Sequence, residues 1–298
     1  MSDATFNAID LSRLPAPNVI EPLSYEQILA DTVASLKAFI PDFDDTLESD
    51  PIVKLLEVVA YREFLMRQRI NDAGKARMLA YAMGSDLDHI GATFGVERLM
   101  LTPANPETGA PAVMEGDEDF RERIQLAPEG YSVAGPAGAY IYHARSAHSD
   151  VADASVASPA PGEVVVTILS RTGSGVATSG LINTVQAALS ASDKRPLTDE
   201  VTVQAAQIIE YQVTAQVKTY PGPDGGIVIE NGLANAQALA VRLHKLGRDV
   251  NRAAFFAAIN GEGAQNTLLT SPAADIVIAD HQASRCTGIT ITHVGTDE

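Results

Sequence analysis

Tryptophan is absent from this 298-residue chain, and aromatic residues make up only 5% of it. Aromatic-lined ligand pockets and base-stacking platforms need such rings, so neither is favoured. There is one cysteine, Cys286. A single thiol excludes an intrachain disulfide and a cysteine-rich metal site, and it permits folding in a reducing cytosol. Positive charge is scarce: 21 Lys and Arg stand against 38 Asp and Glu, for a formal net charge of -17. Such a chain repels phosphate backbones and anionic lipid surfaces, so neither nucleic acid nor membrane is expected as a partner. No apolar run approaches the ~20 residues of a membrane span. The opening Met1-Ser2-Asp3 lacks the basic region and apolar core of a signal peptide, so a soluble protein that is not exported by such a signal is expected.

Two local features run against these averages. Arg62, Arg67, Arg69, Lys75 and Arg77 form the densest basic cluster, but Glu63 and Asp72 interleave with them, which reads as a salt-bridged helix face. Cys286 has His281 and His293 nearby in sequence. On a strand-like segment a buried, inert thiol is the reading taken.

What is present is an apolar fraction of 46%, ordinary for globular chains, spread over a length that points to two or three domains. Residues 1–23 carry Pro15, Pro17 and Pro22 and read as an extended arm. Residues 24–98 read as a helical module. Ser24 and Gln27 form a capping-box signal before a first helix, which Pro41 stops. Asp50 and Pro51 start a second helix expected to reach about Ala82. On it Ile52, Leu55, Leu56, Val59, Met66 and Ile70 share one face, whereas Val58, Tyr61, Phe64 and Leu65 lie off that face. A helix that is apolar on more than one side must bury more than one side, and the first helix can cover only part of it. Gly84 reads as a helix C-cap, and a short third helix ends at Gly95.

Residues 99–116, rich in proline and glycine, read as a linker. Residues 117–206 read as leading helices, with a hinge at Gly135 and Pro136, followed by a β-β-α-β unit. Residues 207–298 read as a second α/β unit of order β-α-α-β-β. The fold class expected is therefore α+β: a helical bundle module followed by two small α/β domains.

No residue pattern points firmly to chemistry. The Asp42, Asp44, Asp45, Glu48, Asp50 loop is acidic, but Leu47 and Val53 sit where a calcium loop needs its glycine and its last glutamate, so a solvated loop is the reading. Glu115, Asp117, Glu118 and Asp119 read as negative charge at a helix N-terminus. His143 and His148 are spaced five apart with no glutamate between, unlike a helical zinc pair. Gly173-Ser174-Gly175 lacks the lysine and further glycines of a phosphate cradle and reads as a mobile loop. The expectation is no enzyme, no cofactor, no metal and no small-molecule substrate.

A series of short motifs carries a family resemblance. In order they are Glu48-Ser49-Asp50-Pro51, Leu55-Leu56, Ala60-Tyr61-Arg62-Glu63, Arg69-Ile70-Asn71, Ala80-Tyr81-Ala82, Gly84, Asp86-Leu87-Asp88 and Gly95-Val96-Glu97-Arg98. Downstream follow Asp119-Phe120-Arg121-Glu122-Arg123-Ile124, Gly135-Pro136 leading to Tyr140, and Arg195-Pro196-Leu197-Thr198-Asp199. Taken together they resemble the baseplate J-like family of contractile phage tails over roughly residues 24–294; the Pro-rich stretch 101–112 has no counterpart in that pattern.

The resemblance implies a structural wedge subunit, made in the bacterial cytoplasm and resident in the baseplate of a virion or an R-type bacteriocin. Two J-like chains and a smaller partner would form a wedge through a shared helical bundle. Six wedges would close around the tail hub, next to the sheath initiator, with the α/β domains meeting neighbouring wedges. Leu55, Leu56, Val59, Leu65, Met66 and Ile70 would line the bundle seam. A wedge component of another contractile injection or secretion system is the first alternative. A hydrolase with an unrecognised carboxylate pair is the second, and an activity panel with a metal survey would separate it.

Overall fold

A computed structural model describes residues 9, 11, 14, 15, 17, 21–191, 194–222 and 224–297. Most of the arm expected at 1–23 lies outside these residues. The chain divides into two compact units, residues 9–97 and Arg98 onward.

The first unit is helical. Helix α1 (Tyr25–Phe39) starts where the Ser24 hydroxyl accepts the Gln27 amide at 3.3 Å, satisfying one of the helix's orphan N–H groups. Helix α2 (Pro51–Ala76) starts where the Asp50 carboxylate accepts the Ile52 amide at 2.7 Å, with Pro51 in the first turn, as the sequence led us to expect. It stops six residues short of Ala82. Arg77 and Met78 bond back to Gly74 and Lys75, three residues earlier, so the last turn tightens beyond Gly74. Gly84, at φ 52°, opens α3 (Gly84–Thr93) instead of closing α2. Ile28, Leu56 and Ala60 are buried along the α1–α2 contact. At the far end Asn71 brackets the backbone of Glu21, accepting its N–H at 3.2 Å and donating to its carbonyl at 2.8 Å.

The second unit's main body starts at Arg98. The stretch read as a linker holds a small antiparallel hairpin, β1 (Met100–Thr102) with β2 (Val113–Met114). Its loop is turned by the Asn105 side chain, which accepts the amides of Glu107 and Thr108. Strands of two and three residues leave no readable period.

Helix α4 (Asp117–Leu126), a 3-10 turn (Ala127–Tyr131) and α5 (Ala137–Ala147) lead into the first sheet. There β3 (Val151–Ala157) pairs antiparallel with β4 (Glu163–Ser170), and β4 pairs parallel with β5 (Glu200–Ala205) through α6 (Ser179–Leu189). The β-β-α-β order is as expected. Ile141, Ala144, Val166, Ile168, Val185 and Leu189 pack its core.

In the second sheet β6 (Gln207–Thr219) is central, with β7 (Ala264–Ser271) antiparallel on one side and β8 (Gln282–Thr296) parallel on the other. Helices α7 (Gly225–Leu243) and α8 (Arg252–Ile259) lie between β6 and β7 in sequence, giving the expected β-α-α-β-β order. The sequence pattern predicts a turn over 221–226 and a helix from Ala234; helix α7 instead begins at Gly225, nine residues earlier, because the Asp224 carboxylate accepts the Gly226 amide at 2.8 Å and caps a helix start there. The architecture is α+β with an N-terminal helical region.

The two sheets are fused. Ala206 alone separates β5 from β6; it is buried and donates its N–H to Ile168 at 2.9 Å. Leu169, Ala206, Leu246 and Ala283 pack in one cluster. Across this junction Asp153 accepts the Leu246 amide at 3.0 Å, the Ser155 hydroxyl donates to the Asp280 carbonyl at 2.6 Å, and Glu122 binds Arg145 at 3.0 Å together with Lys245.

Candidate assembly surface

The buried side of α2 is narrow. Leu56, Ala60 and Asn71 are buried, at helical spacings of four and eleven, and turn the same way. Residues rotated from this stripe have no cover. Leu55, Val59, Leu65, Met66 and Ile70 are between 42% and 68% exposed, and Ile52, Val58 and Tyr61 join them. Phe39, Ile40 and Leu47, at and beyond the end of α1, are exposed as well. Exposed apolar surface of this kind is solvated at a free-energy cost, which favours covering it.

Leu56 is the exception among the expected seam residues. It is 9% exposed. Leu55 and Leu56 are neighbours in sequence, but one residue of helix rotates a side chain by about 100°, which points Leu55 outward and Leu56 inward. Leu56 is thus buried within the chain, while the other five expected seam residues are exposed.

The polar side of α2 is laced by charge pairs. Arg67 meets Glu63 at 2.6 Å and Glu21 at 3.5 Å, and Lys54 meets Glu57 at 3.0 Å. All are surface pairs, worth little each.

Gly135 and Pro136 stand at the start of α5, with Pro136 as its N-cap residue. Gly135 has φ 76°, and a Cβ there would lie 2.8 Å from Pro196 and 3.0 Å from the Asp199 carboxylate. The Tyr140 hydroxyl donates to Asp199 at 2.8 Å. Two motifs 59 residues apart thus meet at one corner. A hinge at Gly135 would have to break these contacts.

Asp117, Glu118 and Asp119 fill the first turn of α4, as expected of negative charge at a helix N-terminus, but Glu115 just before it is not solvated. Glu115 is buried and takes a bidentate grip from buried Arg123, at 2.9 and 2.7 Å. Arg98 lies 4.6 Å above the Phe120 ring and bonds Asp117 at 2.9 Å. Asp119 pairs with Arg171. Sequence reasoning missed this knot; only the run Asp119–Ile124, charged yet holding a single Phe, hinted at it.

The Gly173-Ser174-Gly175 loop is also packed. Gly175 carbonyl accepts the Ser170 amide at 2.8 Å, and a Cβ on Gly175 would lie 2.9 Å from Leu169 and 3.1 Å from His244. The glycine permits this close approach. Among the described residues no group of three or more His, Cys, Asp or Glu could hold a metal ion, and no helix is long and apolar enough to cross a membrane. Cys286 is partly buried, and that burial raises its thiol pKa.

Comparison with known proteins brings these features under one heading. Residues 48–105 match the baseplate J-like N-terminal domain, and residues 132–205 match the baseplate J-like central domain. The chain is 48% identical over 299 residues to baseplate protein J of Escherichia phage P2, covering 97% of this chain and 99% of that one. A solved chain from the anti-feeding prophage baseplate is 14% identical, with a TM-score of 0.37, over 59% of this chain and 44% of its own length. That likeness is too distant to carry an argument. The matched domains include the start of α2, its exposed apolar stripe, and the Tyr140–Asp199 corner, and the phage relative extends across nearly all of the chain: it belongs to the baseplate J-like family and is a structural component of a tail baseplate.

Proposed function

We propose that the chain is a wedge subunit of a contractile-tail baseplate, and that it assembles through the exposed apolar stripe of α2. The observation that carries this is the stripe itself: Leu55, Val59, Met66 and Ile70 along one face of a well-capped helix, with Leu65 on the adjoining face, all exposed to water. Burying such side chains against a second helix gains roughly 1.5–3 kcal/mol each when complete. The partner of that stripe is a second copy of this chain, with a smaller wedge protein completing the bundle. Six such wedges would ring the hub beside the sheath initiator, and their rearrangement would couple to sheath contraction. The phage relative named baseplate protein J supports a tail baseplate as the location of the mature chain; assembly before that would take place in the bacterial cytoplasm.

The test is co-purification with co-expressed tail proteins. Leu55→Asp combined with Met66→Asp should abolish co-purification while the chain stays folded. Undiminished recovery of the complex with both substitutions present would sink the seam.

A further inference from the structure

We infer that the face of α2 formed by Val58, Arg62, Leu65 and Arg69 takes an amphipathic helix of a non-identical protein, one that carries carboxylates seven residues apart. The inference rests on α2 being the assembly helix, and it adds which face a second partner takes and what that partner must present.

Spacings of four, three and four place Val58, Arg62, Leu65 and Arg69 on one side of the helix. At about 100° per residue this side adjoins the stripe of Leu55, Val59, Met66 and Ile70. It lies opposite the buried Leu56, Ala60 and Asn71, so α1 does not reach it. Val58 is 57% exposed and Leu65 42%, and both arginines are exposed. The neighbouring Arg67 holds Glu63 and Glu21, whereas Arg62 and Arg69 have no ion pair among the described residues. Two such guanidinium groups, about 10.5 Å apart with Leu65 between them, repeat at the heptad interval. A helix laid along this face would set apolar side chains against Val58 and Leu65. Its carboxylates would meet the arginines as charge-assisted pairs.

Charge selects against a second copy as the occupant. The same face of another copy would bring arginine against arginine. Of the carboxylates on α2, Glu57 and Glu63 are held by Lys54 and Arg67. In the acidic loop before α2, Asp44 accepts from the Thr46 amide and hydroxyl, Asp45 pairs with Lys37 at 2.9 Å, and Asp50 caps the helix. On a chain of net charge -17, a face with uncompensated positive charge is an exception that fits an acidic partner.

The test co-expresses the full chain with the other tail proteins of its particle. Arg62→Glu with Arg69→Glu should raise the dissociation constant for a non-identical subunit about tenfold or more, while self-association through Leu55, Val59, Met66 and Ile70 persists. Arg62→Lys with Arg69→Lys should retain that subunit, and zero-length carbodiimide coupling should then join these positions to its Asp or Glu side chains. Coupling to a second copy of this chain, no coupling in a recovered complex, or unchanged affinity with the glutamate pair would each overturn the inference. So would an unsubstituted chain that holds only copies of itself. Leu55→Asp with Met66→Asp reports separately on the seam. A complex lost with that pair but kept with the glutamate pair overturns this inference alone; a complex kept with both overturns the reading of α2 as well.

Discussion

Arg123 and Glu115 show how much a single residue can carry in this fold. Both side chains are nearly inaccessible, at 4% and 1%, so neither charge has water to fall back on. Arg123→Ala would leave a buried carboxylate without its partner and is expected to cost about 3–5 kcal/mol, read as a large loss in the urea midpoint. Gly135→Ala should cost about 1–3 kcal/mol for a second reason: the position needs positive φ and leaves no room beside Pro196. Beside it, Tyr140 keeps its phenol neutral, since burial and then the Asp199 hydrogen bond push its pKa well above the ordinary value. None of these roles was readable in advance. Glu122 finds Lys245 at a separation of 123 residues, and Tyr140 finds Asp199 at 59, and local pattern carries no trace of such partners.

At the scale of the element, α2 was the most legible part of the chain. Its start follows from Asp50 and Pro51, and the surplus of apolar side chains is visible from spacing alone. Which of two adjacent leucines faces α1 was not, because the wide apolar arc allows more than one rotation of the helix. The structure makes this a sharp contrast in energetics. Leu56→Ala should destabilise the isolated chain by about 2–5 kcal/mol, as a core truncation does. Leu55→Ala should change its thermal stability by no more than about 0.5 kcal/mol, as a surface change does, while still weakening assembly. Short or capped elements were the ones misread: β1 and β2 fall below any period, and the Asp224 cap that starts α7 looks like a turn until the helix behind it is seen.

The whole second unit is held as one piece by its junction. The single residue Ala206 between β5 and β6, the buried Leu169–Leu246 cluster and the Glu122–Arg145–Lys245 group leave no free linker between the two sheets. Residues 98–297 should therefore melt in one calorimetric transition. Glu122 also sets an acid limit on that junction. Burial acts to raise its pKa, but Arg145 and Lys245 together outweigh it, so the pKa is lowered from the usual 4.5. A lowered carboxylate contributes stability that is present above that value and lost as pH falls through the folded one. Glu122→Gln should thus flatten the fall of stability with pH below about 4.5, measured by urea titration at a series of pH values. What this molecule offers its neighbours, then, is a fused α/β body and a helix with uncovered apolar side chains. The most direct measurement is maleimide labelling of a Met66→Cys, Cys286→Ser chain, compared between the free protein and assembled tail particles. The account predicts rapid labelling of the free chain and strong protection in the particle; equal labelling in both would contradict it.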